Sequence, residues 1–198
     1  MEKIIQLLPY DGPAEYYGQV ISLHDALNFF DMLFKKISWK NDEAVIFGRH
    51  IITKRKVAWY ADQDFSYTYS RKTRQALPWI SELIELRKKT EILTHATYNS
   101  CLLNLYHDGN EGVAWHSDDE KSLADKAPIA SLTFGAERRF SFRHKKTKEM
   151  ISLNLPTGSL LVMRGATQDN WVHCLPKMKG VKNARINLTF RTMFPQLH

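Results

Sequence analysis

Along the first forty residues the apolar positions fall at helical spacing. In "SLHDALNFFDMLFKKISW", Ala26, Phe29, Phe30, Leu33, Phe34 and Ile37 make one stripe, Ser22 stands where an N-cap belongs, and Asp25 sits in the first turn. A second helix is expected to begin at Pro78 in "PWISELIELRKK", with Lys88 and Lys89 near its end, where cations suit the helix dipole. Most of the remainder alternates with the period of extended chain. "AVIFG", "IITKRKVAWYA", "FSYTYS", "TYNSCLLNLY", "PIASLTFG", "RRFSFRHK", "EMISLNL", "SLLVMRG" and "RINLTFRTM" read as short strands, several separated by Gly, Asp, Asn or Lys-rich turns. Many strands with no βαβ alternation imply an α+β protein, an antiparallel jelly-roll-like sandwich or barrel with the helices on one outer face.

The last strand is the most informative. In "RINLTFR", Arg185, Asn187, Thr189 and Arg191 alternate with Ile186, Leu188 and Phe190, so two guanidiniums share the polar face. On an ordinary sheet that face meets water. In a barrel with a functional interior it lines a cavity for an anion, and two arginines suit a dicarboxylate.

The length, 198 residues, fits one domain that buries about 70% of its unfolded surface. Hydrophobic residues make up 43% and charged residues 25%, which excludes collagen-like and disordered classes. Lys and Arg exceed Asp and Glu by 28 to 21, and the net charge of +7 is compatible with a polyanionic partner or with a merely basic surface. Cys101 and Cys174 are the two cysteines and no CxxC occurs, so a disulfide framework and a four-cysteine zinc site are both unsupported and a reducing compartment fits. No stretch has the length of a membrane span and the N-terminus lacks the apolar run of a signal peptide. The expectation is a cytoplasmic protein, associated with the nucleoid or with a nucleus if eukaryotic, with no membrane partner and no demand for more than a monomer.

Against the basic background "WHSDDE" places one histidine and three acids in six residues, Trp115 to Glu120. On extended chain His116, Asp118 and Glu120 project to one side. An imidazole and a carboxylate at i and i+2 can share a metal, although in a chain with eight histidines the pair alone is unremarkable. His173, in "NWVHCLP", is the candidate third group, although a lone histidine on an apolar segment also suits a hydrogen-bonded core position. Two histidines and one carboxylate match the facial triad of non-haem Fe(II) oxygenases, and the same ligands also suit zinc. The arginine pair favours iron, because an oxygenase using 2-oxoglutarate needs a cation for the carboxylate that does not chelate metal.

Taken in order, "NLYHDG", "WHSDDE", "IASLTFGAERRF", "GSLLVMRGATQDNWVH" and "RINLTFRTMFP" resemble the AlkB family of Fe(II)/2-oxoglutarate-dependent nucleic-acid dealkylases, in the branch of the human homologues numbered two and three and related bacterial proteins. The likeness runs from about Ala44 to Pro195. It implies a double-stranded β-helix core over residues 97–195, an N-terminal extension over 1–43 and a nucleotide-recognition region over 44–75, all within one domain of residues 1–198. It further implies catalytic iron on His116, Asp118 and His173, with 2-oxoglutarate held by Asn104, Tyr106, Arg185, Asn187, Thr189 and Arg191. His107 points to the opposite strand face from Asn104 and Tyr106 and is not expected to be a ligand.

The implied activity is DNA repair. O2 and 2-oxoglutarate are consumed, succinate and CO2 are formed, ascorbate supports turnover, and an N-methyl group on 1-methyladenine or 3-methylcytosine is oxidised and lost as formaldehyde. The methylated base is cationic and carries an exocyclic donor, so a carboxylate suits it, and the resemblance gives that role to Glu120 and Asp119. Asp119 is equally compatible with a surface salt bridge. A base must be flipped out of a duplex to reach the metal. His116 and an aromatic, Tyr67 or preferably Tyr69, would stack on it, and Phe47 in "VIFGRHIITKRK" would wedge into the gap, with Arg49, Lys54, Arg55 and Lys56 toward phosphates. This hairpin departs from the family's usual Pro-Arg pair, showing "ITKRK". A noncatalytic nucleic-acid binder, an RNA demethylase of the same chemistry and a zinc hydrolase are the competing readings.

Overall fold

The computed structural model describes residues 3–46, 49–63, 65–69 and 72–194, with the backbone path alone at 44–46, 49–51, 66–69 and 72–74. Phe47 lies outside the described residues, and Tyr67 and Tyr69 are placed by backbone only.

Among the described residues fourteen strands and three helices follow one another. They are β1 (Ile5–Gln6), β2 (Ala14–Gln19), α1 (Leu23–Lys36), β3 (Lys40–Ile46), β4 (Arg49–Ala61), β5 (Ser66–Tyr69), β6 (Lys72–Gln75), α2 (Ser81–Thr94), β7 (Ser100–Tyr106), β8 (Val113–His116), β9 (Ile129–Gly135), β10 (Arg138–His144), β11 (Met150–Leu155), β12 (Ser159–Met163), α3 (Thr167–Asn170), β13 (Trp171–Leu175) and β14 (Arg185–Arg191). The major sheet runs β1-β2-β12-β9-β14-β7-β4-β3 and the minor sheet β11-β10-β13-β8, with β5 and β6 as a separate hairpin. Two face-to-face antiparallel sheets of this kind are the jelly roll that the strand-rich pattern implies. β2, β3 and β4 are integral strands of the major sheet.

Strand parity assigns the two faces of the major sheet. On the outer face Cys101, Leu103, Leu105, Ala130, Leu132, Phe134, Ile186, Leu188 and Phe190 pack with Phe29 and Leu33 of α1 and Leu83 and Leu86 of α2. On the inner face a second apolar cluster, including Ile129, Phe140, Phe142, Leu161, Met163 and Trp171, fills the space toward the minor sheet. Burying these side chains is the main drive for closing the sandwich, about 1.5–3 kcal/mol for each large one.

The first helix forms as its sequence dictates. Ser22 Oγ accepts from the Asp25 N–H at 3.1 Å, and Ala26, Phe29 and Leu33 are buried. Phe34 departs from expectation: it stays 44% exposed, beyond the edge of the packed stripe. The second helix corrects the sequence reading at both ends. Pro78 lies before it, the helix starts at Ser81 and runs to Thr94, and Lys89 sits mid-helix facing Glu85 rather than near the C-terminus. His95 ends it in the left-handed region at φ 51°.

Candidate active site

The inner face of β14 is a row of polar groups in a buried place. All seven residues Arg185–Arg191 are buried. Continuous ladders on both sides hold the strand, with Arg185 opposite Tyr106 and Gly135, and Asn187 opposite Asn104 and Thr133. The polar side chains that parity selects therefore project into the chamber between the sheets and not into solvent.

Arg185 is 2% exposed. Its Nη2 donates to Thr133 Oγ1 at 2.9 Å and to Asn187 Oδ1 at 2.7 Å, while its Nε has no partner. Asn187 is the hub of this network: its Oδ1 also accepts from Ser131 Oγ and Thr133 Oγ1, and its Nδ2 donates to Thr189 Oγ1. Tyr106 presents its ring 5.6 Å from the Arg185 guanidinium and 6.0 Å from that of Arg138. Among the described residues no carboxylate pairs with Arg185. Burial, only partly offset by Tyr106 and reinforced by Arg138, lowers its pKa to about 10, so it is a charged group in want of an anion.

At the other end of the strand Arg191 does have acidic partners. Its Nη2 donates to Asp118 Oδ1 at 2.9 Å and its Nη1 to Glu120 Oε1 at 3.2 Å. Asp118 is buried, and burial alone would raise its pKa. The field of Arg191, with those of His173 and His116, outweighs burial and holds the carboxyl below its ordinary value.

His116 and His173 are Cα partners across β8 and β13, with ring centroids 4.3 Å apart. Together with Asp118 they offer three ligand atoms that all lie within 4.8 Å of one another, a set that could hold one metal ion. His116 Nδ1 donates to the Ala114 carbonyl at 2.9 Å, which leaves Nε2 as the nitrogen facing Asp118 Oδ1, 3.8 Å away. The His173 ring is stacked on Phe140 at 5.4 Å. Burial lowers its pKa to about 4, against the pull of Asp118, so it is neutral and ready to ligate at physiological pH.

The remaining sequence candidates fall around this centre. Asp119 is exposed, and Glu120 Oε2 is buried with no hydrogen-bond partner. Both line a cavity of about 400 Å³ with Asp118, Met163, Gln168 and Arg191. His107 instead meets Glu111, at 3.0 Å, away from the triad. Arg55 does not point toward phosphates as expected: it pairs with Asp42 and hydrogen-bonds the Tyr106 side chain, inside the fold.

Sequence reasoning missed Ser131 and Thr133, although the alternation in "IASLTFG" carries the same signal that singled out β14. It also missed Arg138. This guanidinium is fully buried and donates to the carbonyls of Asp108, Glu111 and Pro176, tying the 107–112 loop to the chain after β13.

The model of the 2OG-Fe(II) oxygenase superfamily matches residues 13–191. The chain belongs to that superfamily. Fe(II) and 2-oxoglutarate are the cofactors of the family, and the histidine–aspartate–histidine set and the unpaired Arg185 cation have the chemistry to receive them.

Among curated proteins the chain is similar to members of the AlkB group. A Bos taurus protein named DNA oxidative demethylase ALKBH2 is 41% identical over 158 residues, covering 76% of this chain and 57% of the relative. Human alpha-ketoglutarate-dependent dioxygenase alkB homolog 3 is 38% identical over 192 residues, covering 90% and 65%. The Arabidopsis thaliana DNA oxidative demethylase ALKBH2 is 34% identical over 205 residues, covering 89% and 65%. The chain thus spans 57% to 65% of the length of these three relatives. The solved structure of OsALKBH1 superposes with a TM-score of 0.63 at 14% identity, covering 96% of this chain and 100% of that one, which shows a shared fold.

Proposed function

We propose that this protein is an iron- and 2-oxoglutarate-dependent dioxygenase that removes N-methyl groups from DNA bases, 1-methyladenine and 3-methylcytosine first among them. The observation that carries the reading is the joining, through Arg191, of a histidine–aspartate–histidine set to a buried strand whose far end holds an unpaired guanidinium. Relatives named as DNA oxidative demethylases support the choice of substrate class.

In this reading His116, Asp118 and His173 hold Fe(II), while Arg185, Arg191, Asn104, Tyr106, Asn187 and Thr189 form the 2-oxoglutarate site. Bound together, iron, 2-oxoglutarate and O2 supply the oxidation, giving succinate and CO2 and hydroxylating the methyl group that leaves as formaldehyde. The chain supplies aim. Arg185 offers its free Nε to the distal carboxylate, and its engaged Nη2 fixes the plane of the fork. Asn187 and Thr189 serve mainly to hold that fork in place. Arg191 keeps Asp118 ionised and oriented, and the Ala114 carbonyl and Phe140 fix the two imidazole rings.

The orphaned oxygen of Glu120 is suited to accept from the exocyclic amine of a cationic base, and Asp119 adds negative charge beside it. Tyr67 or Tyr69 would stack on the flipped base opposite His116, and Phe47 would fill the gap in the duplex. Residues 44–75 are thereby the nucleotide-recognition region of a single functional unit acting as a monomer. Among the described residues no helix is long and apolar enough to cross a membrane.

The test is turnover on a panel of oligonucleotides carrying single N-methyl lesions, with Fe(II), 2-oxoglutarate and ascorbate. Formaldehyde and succinate should appear in equal amounts with deoxyribo-oligomers. Faster turnover on matched ribo-oligomers would move the assignment to RNA. No turnover on any lesion would overturn it.

A further inference from the structure

The ladder between β13 and β8 carries His116, and then stops. Asp118 lies two residues past its end, so no sheet hydrogen bond sets the direction of its carboxylate. Arg191 holds the carboxylate itself, and two side-chain bonds to the 163–175 segment hold the backbone that carries it. The Asp118 N–H donates to Gln168 Oε1 at 2.9 Å, and Ser117 Oγ donates to the Trp171 carbonyl at 3.2 Å. Gln168 is itself held by two contacts and faces the cavity. Its Nε2 meets Met163 Sδ at 3.3 Å, its main-chain carbonyl accepts from Lys145 Nζ at 2.8 Å, and the residue borders the cavity shared with Asp118 and Arg191.

The short helix α3 that carries Gln168 is anchored by the segment before β2. The Pro13 carbonyl accepts from the Arg164 N–H and from Thr167 Oγ1, both at 2.9 Å, and the Asp11 carbonyl accepts from Asn170 Nδ2 at 3.1 Å. Gly12, at φ 140°, makes this approach possible: a Cβ there would lie 2.5 Å from Thr167 Cα. A chain of contacts therefore runs from residues 11–13 through α3 to the one carboxylate among the three proposed ligands.

We propose that Gln168 is a positioning residue for the metal centre, fixing the Asp118 backbone so that its carboxylate meets the two imidazoles. The proposal rests on the iron reading given above. An amide oxygen is suited to this task because it accepts the N–H bond at the edge of a divalent-cation site without adding a charge there. Groups that orient a ligand in this way cost about tenfold to a hundredfold in metal affinity when removed.

The experiment is Mn(II) binding by the metal-free protein, followed by electron paramagnetic resonance, for the wild type, Gln168→Leu and Gln168→Asn. Both variants should bind at least about tenfold more weakly. The thermal midpoint of the metal-free variants should stay within a few degrees of the wild type. At saturating Fe(II) and 2-oxoglutarate without O2, the visible charge-transfer band of the complex should be shifted in the variants. A merely structural role would lower the midpoint and leave affinity and band unchanged in the folded fraction, and that result would overturn the proposal. Should Leu prevent folding, Asn, which keeps the amide but withdraws it by one methylene, decides the matter alone. Wild-type protein that takes up no Mn(II) would remove the iron reading and the role of Gln168 with it. Tight binding by wild type and both variants alike would remove the role of Gln168 only.

Discussion

The two sides of the chamber are built by different means. The side proposed to offer cations to 2-oxoglutarate is β14, a strand laddered to β7 over its whole length and to β9 as far as Phe190, so backbone hydrogen bonds fix where Arg185 and Arg191 project. The side proposed to offer metal ligands is a short, irregular pairing of β8 with β13, continued by a loop that side chains hold. A ladder tolerates the loss of one side chain, because its neighbours keep the strand in register. A loop pinned by a few side-chain bonds does not, and it transmits disturbance from wherever its anchors lie. The first side should answer only to changes in the groups that touch the anion or hydrogen-bond directly to those groups, and the second to changes some distance away.

The sharpest separation is expected from Arg185→Met. Removing a buried cation from its carboxylate partner costs about 3 kcal/mol, so 2-oxoglutarate affinity should fall about a hundredfold, while Mn(II) affinity without 2-oxoglutarate stays at the wild-type value. Calorimetry with each ligand in turn checks both halves, and a parallel loss of Mn(II) would erase the distinction between the two sides.

Gly12→Ala probes the other side from a distance. The new Cβ must displace Thr167 backbone at an unfavourable φ, a strain of about 2 kcal/mol that should lower the melting temperature by about 4–8 °C. Through α3 it should also weaken Mn(II) binding several-fold with 2-oxoglutarate contacts on β14 intact. An unchanged Mn(II) affinity in the folded variant would cut the link from residues 11–13 to Asp118.

The mildest change is Thr133→Val, which deletes one hydrogen bond to Arg185 and one to Asn187 on the rigid side. With Asn187 still accepting from Arg185, about 1 kcal/mol is at stake, and the Michaelis constant for 2-oxoglutarate should rise about fivefold at constant kcat. A change in kcat of the same size would mean that the β14 side also sets the geometry of the chemistry.

This division also explains what could be read from the sequence. The period of two in "RINLTFR" gave the inward face of β14 and its two guanidiniums directly, because a laddered strand keeps its parity. Ser22 and Asp25 marked the start of α1 because a capping interaction is local. The end of α2 was misplaced because Lys88 and Lys89 resembled a terminal pair, whereas Glu85 holds Lys89 mid-helix and the helix continues to Thr94. β2, β8 and β13 escaped notice, being short or shifted in register, and paired with strands far away in sequence. Arg138 and Gln168 carry no local signal at all. One is buried among carbonyls of two loops and the other acts across fifty residues, and nothing in "ERRF" or "GATQDN" distinguishes them from surface residues. His173 could be singled out from its own segment only as a candidate, because it lies far from Asp118 along the chain, and the family resemblance then implied its role as a ligand.

The central claim is that one ion and one dicarboxylate share this chamber, and diffraction from crystals grown with Mn(II) and 2-oxoglutarate tests it most directly. The account predicts a single anomalous peak bonded to His116 Nε2, an Asp118 oxygen and His173, with 2-oxoglutarate chelating the ion at one end and its distal carboxylate on Arg185. A peak elsewhere, or 2-oxoglutarate bound away from Arg185, would contradict it.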